Sequence, residues 1–416
     1  MESEPDSGSQ SKNGRRDRPR DHSPSPSQSH GVTIDTLPRE IVIHILSILP
    51  TPSLFRAQFV CRSWRALARD PLLLQLHRPG AASSHDPSLV FHCDQPLRSQ
   101  LYFVDDVSGG NGRNCRARKF HPPHSVIPPE FDVVGSSEGL LCLANALNSD
   151  EVYVYNPLTG EYRELPDSDA CQWKQEMVLG FGFDVTEKDY KVIKIVYRIT
   201  SRNHRVFLDN SEVQVCTLRS PTWRRLGNAT RYLEATPTQP LVNRKLHWTA
   251  SRVRRRTDRI VSFDLSDEKF RNVSEPECED FWRSNLDLVE LGGCLSAAVL
   301  SSSGALEIWV MKEYGMKESW IKDYSIGSYL PKGLQSHEHE ETKDPSCKMS
   351  RILMRKRYGL YVRVLGMLRN GDILLEYHNR ALVRYDPNCD KAVDLVFEGL
   401  PKWFDSIVYV SSISSV

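Results

Sequence analysis

The 416-residue sequence has almost no charge imbalance: 54 Lys and Arg face 53 Asp and Glu, for a formal net charge of +1. Without an excess of one sign, no global field draws the chain onto nucleic acid or an acidic membrane. Long apolar runs are missing too. None approaches the roughly 18 residues that a membrane span needs, and the first thirty residues are polar with no hydrophobic core region, so neither a span nor a secretory signal is expected. The ten cysteines are scattered singly with no C-x-x-C pair, which argues against a zinc ribbon and against a dense disulfide framework. Cys142, Cys216 and Cys294 fall inside apolar, strand-like runs, where a free thiol behaves as a small buried hydrophobe. A reducing compartment, cytoplasm and/or nucleus, is the expectation.

Catalytic signatures are equally scarce. No Walker A loop, dinucleotide fingerprint or H-E-x-x-H occurs. Gly135-Ser136-Ser137-Glu138-Gly139 matches G-x-S-x-G, but a nucleophile elbow needs a helix after the serine, and here the serine leads into the strand-like run Leu140 to Leu143. Ser137 is therefore read as part of a turn whose glycines admit positive φ. His337-Glu338-His339-Glu340 gathers ligand-type residues in a polar stretch that reads as a solvated loop, and no metal or cofactor is expected. The sequons at Asn228 and Asn272 carry meaning only in a secreted chain.

Residues 1–31 are rich in Ser, Pro, Asp, Glu and Arg and nearly devoid of large apolar side chains, so they cannot offset the entropy of ordering and read as a disordered tail. Its basic cluster, Lys12, Arg15, Arg16, Arg18 and Arg20, is interspersed with Asp17 and Asp21 and reads as solvated. Ser23-Pro24 and Ser25-Pro26 have the form of proline-directed phosphorylation sites.

From Ile34 to Arg78 the pattern turns helical. A first helix should start near Pro38, whose fixed φ suits a first turn, with Thr36 as a cap and Glu40 complementing the dipole. Pro50 stops it. Between them Ile41, Val42, Ile43, Ile45, Leu46, Ile48 and Leu49 sweep an arc of about 220°, where a helix lying on one core needs a stripe only a little over about 100° wide. A second helix comes after Ser53, and a third runs from Trp64 through Leu74. Three short helices bury too little to stabilise themselves, so the surplus face is covered either by the rest of the chain or by a permanent partner.

Leu37-Pro38-Arg39-Glu40-Ile41 with Ile45-Leu46 and Leu49-Pro50, then Val60-Cys61-Arg62-Ser63-Trp64-Arg65, resembles an F-box, whose pattern is LPxEL, IL, LP and VCxxW. The resemblance implies that Leu37, Pro38, Ile41, Ile45, Leu49, Leu54, Val60 and Cys61 face a Skp-family adaptor, with Trp64 packing the third helix, and that the adaptor tethers the chain to a cullin ubiquitin ligase.

After Arg78 short strand candidates recur to the C-terminus, separated by turn signals, and no long amphipathic helix intervenes, which means a sandwich, barrel or propeller. A loose repeat favours the propeller: Asn156 to Arg163, Leu218 to Arg224 and Asp264 to Phe270 each read as strand, polar turn and an aromatic opening the next strand, and Asp386 to Lys391 repeats the turn. Gly139 to Leu143 with Tyr155-Asn156-Pro157-Leu158-Thr159-Gly160, Gly182-Phe183-Asp184, Leu246-His247-Trp248, Ser262 to Leu265 and Leu306 to Gly315 are similar to the F-box-associated, kelch-like domain of plant F-box proteins. Asn243-Arg244-Lys245 departs from the Asn-Gly that commonly precedes Leu-His-Trp there.

The expected architecture is thus α+β and multidomain: a disordered tail (1–31), a small three-helix F-box (32–78) and an all-β, propeller-like, kelch-type domain (79–416). The resemblance implies a non-catalytic substrate receptor of a Skp–cullin–F-box ligase, acting by proximity on an unknown target protein, with a scaffold or decoy outside degradation as the alternative. A hydrolase built on Ser137 and a carbohydrate-binding β-domain are the rivals from other classes. Arg252, Arg254, Arg255, Arg256 and Arg259 form a dense basic patch between two strand candidates, and Arg254, Arg255 and Arg256 are the residues expected to bind an acidic or phosphorylated target.

Overall fold

The computed structural model describes residues 37–416 except 50, 69, 77–85, 94–98, 106, 108–115, 121, 123–126, 128–129, 146–150, 169–174, 203–204, 230, 237, 251–258, 283–285, 336–361 and 413–415. The tail expected over 1–31 lies outside the described residues. The chain divides into two compact units, Met1–Val42 and Ile43–Val416.

Four short helices come first. In α1 (Arg39–Ser47) the Pro38 carbonyl accepts from Ile41 N at 3.0 Å and Val42 N at 3.2 Å, so Pro38 closes the first turn as its fixed φ predicts. Helix α2 covers Thr51–Ala57. The stretch expected as one third helix is divided into α3 (Arg62–Ala68) and α4 (Pro71–Leu76). Pro71 has no N–H for a continuing helix, and Asp70 Oδ1 accepts Leu72 N at 2.9 Å, capping a new one. Cys61 Sγ accepts Trp64 N at 3.4 Å at the start of α3.

The remainder is a six-bladed propeller of four-stranded antiparallel sheets. The second blade is Phe131–Ser137, Leu140–Asn145, Val152–Tyr155 and Tyr162–Glu164. The third is Gln175–Asp184, Asp189–Arg202, Arg205–Thr217 and Arg224–Gly227. The fourth is Leu241–Val242, Lys245–Thr249, Ile260–Asp264 and Phe270–Val273. The fifth is Leu286–Leu291, Cys294–Leu300, Leu306–Met311 and Trp320–Ile326, and the sixth Val362–Met367, Ile373–Tyr377, Ala381–Asp386 and Lys391–Leu395. The first blade is assembled from both ends of the domain: Ser88–Cys93, Gln100–Val104 and Arg118–Phe120 are completed by the C-terminal strand Asp405–Tyr409, paired Ser88↔Tyr409 to His92↔Asp405.

Each blade is sandwiched between two neighbours, which explains why its middle strands are apolar on both faces rather than alternating. Leu140, Cys142 and Ala144 pack toward the third blade, while Leu141 and Leu143 pack toward the first. Six such clusters fill the six interfaces. Glycine is required where a neighbour's bulk crosses an inner strand: a Cβ on Gly180 would lie 2.5 Å from Trp248 Cζ2 of the next blade.

The loose repeat read from the sequence is the connection from third to fourth strand. Asn156 Oδ1 accepts Leu158 N at 2.9 Å, Asp264 Oδ1 accepts Ser266 N at 3.0 Å and Asp386 Oδ1 accepts Asn388 N at 2.9 Å, three Asx turns at equivalent points of the second, fourth and sixth blades.

Candidate functional site: exposed helices and a loop-bearing face

Residues expected to face an adaptor fall into three groups. Pro38, Ile41 (48% exposed), Val60 (65%) and Cys61 are exposed; Leu37, Ile45 and Leu49 are half-buried; Leu54 is fully buried. Leu54 is therefore a packing residue of α2 and offers no surface to a partner. Sequence reasoning left out Ile48 (65%) and Phe59 (66%), which present more apolar surface than Ile41. Ile48 was visible as part of an over-wide apolar arc. Phe59 had no such signal, because it lies just past α2, where its ring meets Phe55 edge-on at 5.2 Å. Isolated apolar side chains on a surface are ordinary; several on short helices mark an interaction surface.

The propeller has two unlike faces, because in an up-and-down blade the turns from first to second and third to fourth strand emerge on one side. The turn side is tight and internally bonded. Glu138 (φ 44°) and Gly139 (φ 83°) reverse the chain in two residues between Ser137 and Leu140. Ser137 Oγ accepts Phe183 N at 3.1 Å and is buried at the end of its strand, with no helix after it. A nucleophile elbow does not form there. On this side buried Lys191 bridges blades: its Nζ lies 3.0 Å from Asp184, 3.1 Å from Glu268 and 2.7 Å from the Leu265 carbonyl. Burial opposes its charge, but these partners hold the ammonium above the ordinary lysine range. Asp264 is pushed up by burial, yet hydrogen bonds from Ser266 and Lys245 hold it well below the usual carboxylate range.

The other side carries the second-to-third connections and the links between blades. Strand Lys245–Thr249 ends and strand Ile260–Asp264 begins on this side. Arg254, Arg255 and Arg256 lie outside the described residues, as do His337 to Glu340. Arg259, expected as part of the same exposed patch, is instead buried: it donates to the Phe281 carbonyl, its backbone N–H is accepted by Glu275, and its guanidinium stands 5.6 Å from the Phe281 ring centroid. An arginine that donates to a backbone carbonyl and stacks on a ring anchors the strand and is unavailable to a target. Among the described residues no group of three His, Cys, Asp or Glu could hold a metal, and no described helix is long and apolar enough to cross a membrane.

A family model described as F-box-like matches residues 34–75, and one described as the F-box associated beta propeller domain matches residues 84–348. Among curated relatives from Arabidopsis thaliana, F-box protein At3g07870 is 43% identical over 402 residues, covering 92% of this chain and 93% of its own. F-box/kelch-repeat protein At3g23880 is 27% identical, covering 70% and 79%. F-box protein CPR1 is 26% identical, covering 91% and 88%.

Proposed function

Because the chain belongs to the F-box proteins that carry an F-box-associated β-propeller, we propose that it is the substrate-recognition subunit of a Skp–cullin–F-box ubiquitin ligase in the cytoplasm or nucleus. Its helices hold a Skp-family adaptor, and through it a cullin. Its propeller holds a target protein, which is ubiquitinated and degraded. The mechanism is proximity: binding converts transfer of ubiquitin to a target lysine into an effectively intramolecular event, and no side chain of this chain bonds to ubiquitin.

The observation that carries this reading is the apolar surface left on short helices, with Pro38 and Ile41 in the first unit and Ile48, Phe59 and Val60 in the second. Ile45 and Leu49, in the second unit, are half-buried. Covering a large apolar side chain is worth roughly 1.5–3 kcal/mol, so a few of them sustain a lasting complex. The test is co-purification of the full chain with a Skp-family adaptor beside a variant carrying Leu37→Ala, Pro38→Ala and Ile41→Ala. Wild type should retain adaptor and the folded variant should lose it. Failure of the wild type to bind sinks the reading.

Arg254, Arg255 and Arg256 are proposed to contact the target, since guanidinium forks pair bidentately with carboxylates or phosphates and loops on a rigid scaffold are where recognition resides. Serine at all three positions should lengthen the half-life of the degraded target while adaptor binding stays intact.

A further inference from the structure

The strand that closes the ring, Asp405–Tyr409, is an end strand of its sheet and pairs, among the described strands, only with Ser88–Cys93. A strand held by one ladder opens more readily than one held by two. The residues that follow it add a further hold. Just beyond the strand, the Ser411 carbonyl accepts the Thr51 hydroxyl at 3.1 Å, in a partly buried contact between residues 360 positions apart. The next carbonyl, that of Ser412, accepts Asn156 Nδ2 at 3.2 Å in the second blade. Adjacent carbonyls thus serve different elements, one the first residue of α2 and the other a propeller turn.

The propeller side of this joint is closely built. Ser412 is buried, and a Cβ on Gly139 (φ 83°) would lie 2.2 Å from Ser412 Cβ, so a glycine is needed at that turn for the segment to pass. Val416, half-buried, packs against the apolar cluster between the second and third blades. The C-terminal residues are therefore fixed on the propeller, and Thr51 ties them to a helix.

On the helix side, α2 lies between two exposed apolar residues, Ile48 (65% exposed) before it and Phe59 (66%) after it. Both belong to the same compact unit as the propeller. A partner that covers Ile48 and Phe59 holds α2 at both ends, and with it the donor at its first residue. A helix so held loses less freedom when its hydroxyl bonds Ser411, so the bond is stronger with the partner in place.

We propose that the Thr51–Ser411 contact links adaptor binding to ring closure: an adaptor on the helices tightens the closing strand, and a chain whose ring is open holds the adaptor more weakly. Linkage makes the factor the same in both directions. This rests on the receptor reading and adds a regulation to it, since the form with a closed propeller is the one that the ligase takes up. One uncharged hydrogen bond sets the size of the linkage at about fivefold.

The test follows amide hydrogen exchange across residues 405–412 of the full chain, with and without a purified Skp-family adaptor. Thr51→Val keeps the side-chain shape and removes the donor, while Thr51→Ser keeps the donor. Bound adaptor should slow exchange over 405–412 about fivefold in wild type and Thr51→Ser, and leave it unchanged in Thr51→Val. The reciprocal measurement uses a chain ending at Val410, which should bind adaptor about fivefold more weakly than the full chain. If that shortened chain does not melt cooperatively, Thr51→Val alone decides. Equal slowing in Thr51→Val, or full adaptor affinity in a folded shortened chain, would overturn the linkage. Bound adaptor that leaves 405–412 unchanged in wild type overturns the linkage alone, whereas a wild type that binds no adaptor sinks the receptor reading and the linkage with it.

Discussion

His247 sits where a protonated imidazole has nothing to gain. On the second strand of the fourth blade, its Nδ1 donates to the Pro240 carbonyl at 3.1 Å and its Nε2 accepts the Tyr314 hydroxyl at 2.8 Å, so the neutral ring satisfies both nitrogens. Burial, with neighbouring Lys245 adding to it, lowers its pKa to about 4. A base whose folded pKa lies below its unfolded value near 6.5 contributes full stability above about pH 6.5 and loses it as pH falls toward 4, because the unfolded chain then binds the extra proton. Between pH 7 and pH 5 this group alone should remove about 2 kcal/mol. Urea unfolding of wild type and His247→Asn at both pH values checks it: the asparagine variant starts less stable but should show a pH dependence shallower by that amount. Parallel curves would mean that His247 takes up its proton as readily in the folded chain as in the unfolded one.

At the scale of elements, the joint between the sixth blade and the C-terminal strand contains a charge pair that no sequence pattern announces. Arg363, on the inner strand, and Glu376, on the next, are both buried, with Nη2 to Oε2 at 3.3 Å. Together they grip the closing strand: Glu376 Oε2 accepts Ser406 N at 2.6 Å and Arg363 donates to the Ser406 carbonyl. Burial pushes the Glu376 carboxyl up, and Arg363 pulls it back. Removing one member of a buried pair costs roughly 3–5 kcal/mol because the other charge is stranded, whereas removing both charges is far cheaper. Arg363→Met should therefore lower stability by that order. Adding Glu376→Gln should recover at least half, since the amide oxygen still accepts from Ser406 N. Thermal melts of the two single variants and the double variant decide it, and additive losses would mean that the two charges do not depend on each other.

Other elements were legible in advance. Val152–Tyr155 and Ile260–Asp264 stood out as short apolar runs before polar turns, and the turns at Asn156, Asp264 and Asp386 were readable because an Asx side chain makes its own local hydrogen bonds. The division of the third helix was also available in Asp70-Pro71. Blade number was not, because inner strands such as Leu241–Val242 have two residues and leave no periodicity. Nor was the burial of Arg259, whose partners Glu275 and Phe281 come from the following connection and not from its own strand. In the helices, the total apolar surplus was legible, but which side chains point inward was not: an arc wider than one core needs cannot tell Leu46, which is buried, from Ile48, which is not.

At the scale of the whole propeller, the ring is closed by one strand, and its integrity depends on contacts between residues from opposite ends of the domain. Asp405–Tyr409 occupies the inner position of the first blade. Ile407 and Tyr409 fill the interface with the second blade, and Val408 packs against the interface with the sixth. After the strand, the chain crosses the second blade's turns, where Tyr409 donates to the Gly139 carbonyl at 3.0 Å and Asn156 Nδ2 donates to the Ser412 carbonyl at 3.2 Å. Such a closure forms only after a large loop-closure entropy has been overcome, so its contacts should be late in folding and weak in the transition state. A cavity at Ile407 therefore belongs mainly to the unfolding rate. Ile407→Ala should cost about 2–5 kcal/mol, with most of that loss appearing as faster unfolding. Leu141→Ala, in the short hairpin of the second blade, packs into the same interface but forms locally, so it should slow folding by the larger share. Stopped-flow folding and unfolding of the two variants separates these outcomes. If Ile407→Ala slows folding as much as Leu141→Ala does, the ring closes early, and the C-terminal strand is part of the nucleus instead of its final clasp.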